Sequence, residues 1–230
     1  MPSILIVDDH PMFRVALRIA ATAAVPDAEI TEVADLAATL AHLDAEPDTE
    51  LALLDLHMPG SHGLTALASL RTQFPGLTVL VVSAHDDPGV IRRVLDHGAA
   101  GFISKSATPD EIGAAMRSVL ACGRWIPPHV SAAVSSLRSD PRDADLAARL
   151  ASLTGQQFRV LGLVAEGRLN KQIADSLGIT ERTVKAHVSA IFEKLGVHNR
   201  TQAGVLLRQL DLASPWRGEL GETERAASAS

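Results

Sequence analysis

Three carboxylates, a hydroxyl and an ammonium draw attention first, because each follows a short apolar run in the first half of the chain. Ile4–Val7 leads into Asp8 and Asp9. The stretch "LALLDLHMPGSHG" places Asp55 after Leu51–Leu54. Thr78–Val82 ends at Ser83, and Gly101–Ile103 leads to Lys105. Three carboxylates in one pocket repel each other and raise one another's pKa. A hard divalent cation resolves that repulsion, and oxygen-only donors select Mg²⁺ or Mn²⁺. An ammonium and a hydroxyl beside the ion complete a set that holds a phosphoryl group, with a carboxylate able to attack in line. Singly, each residue has a plainer role as a helix cap, a turn residue or a solvated loop residue. All five in order, each at a strand end, favour the chemical role.

These residues meet only if the runs are neighbouring strands. Short β-rich runs at 4–7, 30–33, 51–54, 78–82 and 101–103 alternate with helix-like stretches near 11–24, 35–45, 63–73, 87–97 and 109–121. Strands alternating with helices predict an α/β fold with a doubly wound parallel sheet. Such sheets bind ligands beyond the carboxyl ends of their strands. Met58-Pro59-Gly60 is expected to turn the chain away and leave Asp55 open beside Asp8 and Asp9.

The chain has 230 residues, 47% hydrophobic and 21% charged, a globular balance rather than a disordered one. Ile4–Val7 is too short for a signal peptide or a membrane span, so a cytoplasmic protein with no membrane partner is expected. The single cysteine, Cys122, excludes an internal disulfide and a cysteine-built zinc site, and is expected to be a small packed residue. The net charge of -6 conceals an asymmetry: residues 1–122 carry 7 Lys+Arg against 16 Asp+Glu, and residues 153–212 carry 8 against 5. An acidic front and a basic back point to two domains with different partners.

The organisation expected is a first domain over 1–122, an interdomain linker over 123–152, a second domain over 153–212 and a mobile tail over 213–230. In the linker, Pro127-Pro128 is read as stopping regular structure, with one helical turn at 144–150. In "LTGQQF", Thr154 and Gln157 form a capping box, and Leu153 and Phe158 take the staple positions. Further helices are expected at 171–177, 181–195 and 201–210, the first two joined by a tight turn at Gly178. That is the shape of a helix-turn-helix. Val184, Val188, Ile191 and Leu195 form one core stripe. The opposite face carries Arg182, Lys185, Ala186 and Ser189, a small polar surface suited to base edges in a major groove. Lys171, Thr180, Thr183, His187, Lys194 and Arg200 surround it with phosphate-binding chemistry.

Segments "ILIVDDHP", "DLHMPGSHG", "VLVVSAHDD" and "GFISK" resemble the signature segments of two-component receiver domains, in order and near the family's spacings. The segment from Leu153 to Ala203, with "NKQIADSLGI" followed by "TVKAHVSAIFEKLGV", resembles the LuxR-type helix-turn-helix of NarL/FixJ response regulators. The resemblance implies a flavodoxin-like (βα)5 receiver and a C-terminal all-α, four-helix DNA-binding domain. It implies that Asp55 accepts phosphate from a sensor histidine kinase. Asp9, Asp55 and the backbone carbonyl of His57 would ligate Mg²⁺, Asp8 helping through water. Lys105 would pair with the phosphoryl group, Ser83 would bond to it, and Phe102 would be the aromatic switch residue. Base contacts would come from Lys185, Ala186 and Ser189, and double-stranded DNA would be read by a homodimer formed on phosphorylation. At rest, the receiver would cover the recognition helix or leave the domains undimerised. One departure is Gly155-Gln156-Gln157, where the family often has a Pro-Arg-Glu-like run. The expectation is thus a transcription factor rather than an enzyme, catalysing only its own phosphorylation and dephosphorylation. Two alternatives stay open: a phosphate-independent regulator, and an aspartate-nucleophile, Mg-dependent phosphatase. The second is disfavoured because phosphatases usually place an Asp-x-Asp pair after the first strand, and here strand one ends Asp8-Asp9-His10.

Overall fold

The computed structural model describes residues 1–58 and 61–211. Five of the apolar runs are strands of one parallel sheet: β1 (Ser3–Val7), β2 (Glu29–Val33), β3 (Leu51–Asp55) and, after a short antiparallel pair of β4 (His57–Met58) and β5 (Ser61–His62), β6 (Thr78–Ser83) and β7 (Gly101–Ser104). The strand order is β2-β1-β3-β6-β7. Every residue of β3 is buried, which is why that strand reads as unbroken apolar sequence up to its terminal carboxylate.

Alternate residues of each strand feed opposite faces. Ile4, Ile6, Leu51 and Leu53 pack under α1 (Pro11–Ala24) and α5 (Pro109–Leu120). Leu5, Val7, Ala52 and Leu54 pack against α2 (Leu36–Ala45), α3 (Thr65–Gln73) and α4 (Pro88–Asp96). The winding reverses between β1 and β3, so a crevice opens at their carboxyl ends. The free edge of β7 is extended by one residue, Trp125, whose carbonyl accepts from the Phe102 amide at 2.9 Å. Only glycine fits beside it: a Cβ on Gly101 would lie 2.6 Å from the Trp125 carbonyl oxygen.

Cys122 differs from its expected packed position. It is exposed, at φ 59°, in the left-handed turn that ends α5. Helix ends favour that conformation, and the residue occupying it faces solvent.

The linker also differs from the expectation. It holds two helices, α6 (Pro128–Ser136) and α7 (Pro141–Ala151), rather than irregular chain with one turn. Pro128 and Pro141 each stand at the start of a helix, where the missing N–H costs nothing and the fixed φ suits the first turn. Prolines read as breakers are thus initiators. Leu146 and Leu150 of α7 are buried, and α7 packs against α3, α4 and the helix over Glu181–Leu195.

The C-terminal domain comprises α8 (Gly155–Ala165), α9 (Asn170–Leu177), α10 (Glu181–Leu195) and α11 (Arg200–Arg208). The Thr154–Gln157 capping box closes on both sides, at 3.0 and 3.2 Å. Gly178 takes φ 64°, which lets α9 end and α10 begin with three residues between them. The expected tail over 213–230 and the Pro59-Gly60 part of the expected turn lie outside the described residues. Among the described helices, none is long and apolar enough to cross a membrane.

The two domains touch. Arg93 on α4 donates to both carboxylate oxygens of Asp143 on α7, at 2.8 and 3.3 Å, and to the Gln209 carbonyl at 2.6 Å. The Leu64 amide donates to the Leu210 carbonyl at 2.8 Å. Arg159 on α8 reaches Asp44 at 2.8 Å and Gln73 at 2.9 Å. His97, at the end of α4, is buried in this region. Burial chiefly holds its imidazole below the usual pKa; Arg93 adds to this, while Asp143 and Asp96 oppose it. The N-terminal domain therefore grips α7, α8 and the end of α11. It does not cover the residues of α10 expected to meet base edges: Lys185, Ala186 and Ser189 are all exposed. Occlusion of the recognition surface, one of the two resting states expected, is not what this arrangement shows.

Candidate functional site: an acidic phosphoryl pocket and a helix-turn-helix surface

Register brings the acids together. Val7 pairs with Leu54, so Asp8 and Asp55 are the next residues on adjacent strands. Asp55 lies opposite Val82, and Ser83 opposite Ser104, which brings Lys105 to the same edge. The side chains of Asp8 and Asp55 are 1% exposed, so water contributes little to their charge balance. Lys105 supplies it: Nζ lies 2.8 Å from Asp55 Oδ2 and 2.8 Å from Asp8 Oδ2. Burial works against the ammonium, but the hydrogen bonds and charges of Asp55 and Asp8 outweigh it and raise its pKa. The Phe13 ring lies 5.0 Å from the same ammonium, adding a cation–π contact. The other oxygen of Asp55, Oδ1, accepts from the His57 amide at 3.1 Å.

A cavity of about 590 Å³ opens over this cluster, lined by residues that include His10, Met12, Phe13, Asp55, His57 and Lys105. The His57 and His85 rings, with centroids 5.1 Å apart, also line it. The residues present fit a divalent cation. Carboxylate oxygens of Asp8, Asp9 and Asp55 gather within 4.8 Å of one another, and Asp9 Oδ1 is buried without a hydrogen-bond partner. Hard oxygen donors with a buried excess of negative charge suit Mg²⁺ or Mn²⁺. Asp8, Asp9, Asp55 and Lys105 thus meet as the sequence predicts. Ser83 is buried one strand away with its hydroxyl accepting from the His85 amide at 3.2 Å, and Phe102 is fully buried. His10 is a member of the cluster that sequence reasoning missed: Nδ1 stands 2.7 Å from Asp9 Oδ1 and 3.1 Å from Asp8 Oδ1. Its place directly after two acids, at the start of a proline-led helix, was the available signal.

At the other end of the chain, α10 buries Val184, Ile191 and Leu195 and half-buries Val188. Thr180 caps it, accepting from the Thr183 amide at 3.1 Å. Arg182, Lys185, Ala186 and Ser189 face solvent, with Lys171 exposed on α9. Lys171, Arg182 and Lys185 make no hydrogen bond or ion pair among the described residues, so their charges are available to a partner. Two expected phosphate contacts are otherwise engaged. Lys194 donates to the Ser152 carbonyl at 2.7 Å and to Gln157 at 2.8 Å, tying α10 to the start of α8. Arg200 donates to the Arg168 carbonyl at 2.6 Å and to Asn170, bracing the turn before α9. Their donors hold the domain together.

Residues 4–117 match the response regulator receiver domain, and residues 151–207 match the luxR family of bacterial regulatory proteins. The chain is 41% identical over 217 residues to the glycerol metabolism activator of Pseudomonas putida, covering 93% of this chain and 98% of that one. It is 35% identical over 202 residues to the probable transcriptional regulatory protein NarL of Mycobacterium tuberculosis, covering 87% and 90%. A solved structure of the RcsB response regulator of Salmonella typhimurium shares the fold at a TM-score of 0.54 and 23% identity, covering 90% of this chain and 99% of that one. The chain belongs to the response regulators in which a receiver domain is joined to a LuxR-family DNA-binding domain.

Proposed function

We propose that this chain is a cytoplasmic transcription factor whose DNA binding is gated by phosphoryl transfer from a sensor kinase histidine to Asp55. The observation that carries the reading is the Lys105 ammonium held 2.8 Å from both Asp8 and Asp55 at the buried strand ends. An Asp55 carboxylate oxygen attacks phosphorus in line, the P–N bond to the kinase imidazole breaks, and the imidazole leaves with its electron pair as an acyl phosphate forms. Asp8, Asp9, Asp55 and the His57 carbonyl would hold Mg²⁺ or Mn²⁺, which neutralises charge on the phosphoryl oxygens. Lys105 then pairs with a phosphoryl oxygen instead of the bare carboxylate. Ser83 gives up the His85 amide and donates its hydroxyl to the phosphoryl group, drawing the loop before α4 inward while Phe102 packs beneath it. The chain turns over no other substrate in this reading.

The movement ends at Arg93, which α4 carries and which holds α7 and the end of α11. Releasing it frees the DNA-binding domain. Dimerisation is supported by α1, where Met12, Val15 and Ile19 form an exposed apolar stripe at helical spacing and Met12 also lines the pocket. In the dimer, two recognition helices meet half-sites about 34 Å apart. Lys171, Arg182, Thr180, Thr183 and His187 position the helix on phosphates, and Lys185, with Ala186 and Ser189, meets base edges.

Sedimentation with and without beryllofluoride and Mg²⁺ tests this. A monomer that becomes a dimer, together with tighter promoter binding, is expected. An unchanged sedimentation coefficient with unchanged DNA affinity refutes the gate. Lys185→Ala is expected to weaken specific binding by about 1–3 kcal/mol while non-specific binding falls much less. Equal losses in a gel-shift comparison of operator and random DNA would remove its base-reading role.

A further inference from the structure

We infer that Phe13 is a positioning residue for phosphoryl transfer, its ring face holding the Lys105 ammonium while that ammonium passes from Asp55 to the incoming phosphoryl group. This rests on the phosphoryl-pocket reading and names a further residue of the same site.

Lys105 has two anionic partners and one aromatic one. Nζ lies 2.8 Å from Asp8 Oδ2 and 2.8 Å from Asp55 Oδ2. It also lies over the Phe13 ring, 5.0 Å from the centroid. The negative face of a ring attracts a cation within about 6 Å. The carboxylates take two of the three N–H donors of an ammonium, and the ring covers a further side. With 18% of the Lys105 side chain exposed, water is largely excluded, and a cation–π contact strengthens as solvent is withdrawn.

The ring is held in place by the first turn of α1. Pro11 starts the helix, and the amides of Phe13 and Arg14 both donate to the His10 carbonyl at 3.1 Å. Arg14 pins this turn to the sheet: Nη1 donates to the Asp8 carbonyl at 2.7 Å, and Nε to Glu32 at 3.3 Å. Phe13 itself is half-buried, packs against the core that holds Ile4 and Ile6, and lines the cavity with Asp55 and Lys105. A ring anchored in this way keeps its place when a charge beside it moves.

The chemistry gives the contact its use. Attack on phosphorus draws electron density from Asp55, and a hydrogen bond from an ammonium to that carboxylate opposes it. Lys105 must therefore loosen its hold on Asp55 Oδ2 as its charge turns to the phosphoryl oxygens. The ammonium is then short of one partner at the moment when its position matters most. The ring is neutral and forms no bond to phosphorus, so it is the partner that Lys105 keeps throughout. An aliphatic side chain at position 13 would fill the space without attracting the charge.

The test replaces Phe13 in the full chain with phenylalanine analogues carrying one, two and three ring fluorines. Fluorine withdraws electron density from the ring face and nearly keeps its shape, so packing is retained while attraction for the cation falls stepwise. Phosphorylation by acetyl phosphate with Mg²⁺, followed by intact-protein mass spectrometry, is expected to slow at each step. Phe13→Leu should slow it by about threefold to thirtyfold. Mg²⁺ affinity by titration should match the wild type throughout, because the carboxylates are untouched. A trifluorinated chain phosphorylated at the wild-type rate overturns the inference, as does Phe13→Leu at that rate. A slower rate accompanied by loss of Mg²⁺ binding overturns it too, since that marks a disturbed pocket rather than a misplaced ammonium. No adduct on the wild type defeats the pocket reading itself, whereas a normal adduct formed at one rate across the series defeats only the role of Phe13.

Discussion

Asp55→Asn is expected to abolish labelling by acetyl phosphate and, with it, any phosphate-dependent gain in DNA affinity. The carboxamide has no anionic oxygen, and its nitrogen lone pair is delocalised, so the covalent step is removed rather than slowed. The variant should still fold. Asp55 contributes one of three clustered negative charges, and Lys105 keeps its contact with Asp8 at 2.8 Å. Losing one carboxylate relieves repulsion that the folded chain otherwise opposes with a single half-buried ammonium. Intact-protein mass spectrometry after incubation with acetyl phosphate and Mg²⁺ reads the outcome directly: a stoichiometric, alkali-labile adduct in the wild type and none in the variant. An adduct of equal yield on Asp55→Asn would sink the assignment. Slow turnover of a phosphate ester by the wild type would instead revive the phosphatase alternative.

The meeting of Asp8, Asp55 and Lys105 was legible because parallel strands buried on both faces are written as unbroken apolar runs. A polar residue closing such a run can lie only at the sheet's edge. Asp8, Asp55 and Ser83 are marked in this way, and Lys105 lies just beyond the last strand. The capping box at Thr154 and the glycine turn at Gly178 were legible for a similar reason: their chemistry is local, complete within four residues.

Less legible was everything that depends on distant partners. The prolines at 128 and 141 suit a helix start as well as a break, and only the packing of Val134, Leu146 and Leu150 decides between them. Lys194 and Arg200 look like free surface cations, yet their partners lie 42 and 32 residues away. His10 does not itself close an apolar run, since Asp8 and Asp9 stand between it and Ile4–Val7. Its place in the cluster depends on the ring turning back over residues that the sequence merely places beside it. The domain contacts are the extreme case, since Arg93 meets an acid 50 residues on and a carbonyl 116 residues on.

Those contacts differ in worth, and the difference makes a prediction. Arg159 and Asp44 have 37% and 52% of their side chains exposed, so the pair is screened and contributes about 0–1 kcal/mol. Arg93 and Asp143 are 18% and 14% exposed and joined by two hydrogen bonds, with a third to Gln209. Charge-assisted hydrogen bonds in such a setting contribute about 1.5–3 kcal/mol. Arg93→Ala should therefore shift the docked state toward release by roughly tenfold to a hundredfold. Because Lys185, Ala186 and Ser189 are already exposed in the docked form, release acts on the freedom of α8 and α11 rather than on access to the recognition helix. Two DNA-binding domains held on their own receivers cannot be brought into register on paired half-sites; freed ones can. Unphosphorylated Arg93→Ala should then bind a two-half-site operator about tenfold or more tighter than the unphosphorylated wild type, and show a larger radius of gyration by X-ray scattering. Arg159→Ala should stay within about threefold of wild type, as an exposed pair requires. Asp143→Ala should follow Arg93→Ala, because it removes the other half of the same contact. A single half-site should show little gain for any of the three, since one domain binding alone needs no register. Equal effects from Arg93→Ala and Arg159→Ala, or a compact Arg93→Ala with wild-type affinity, would place the gate elsewhere than at the end of α4.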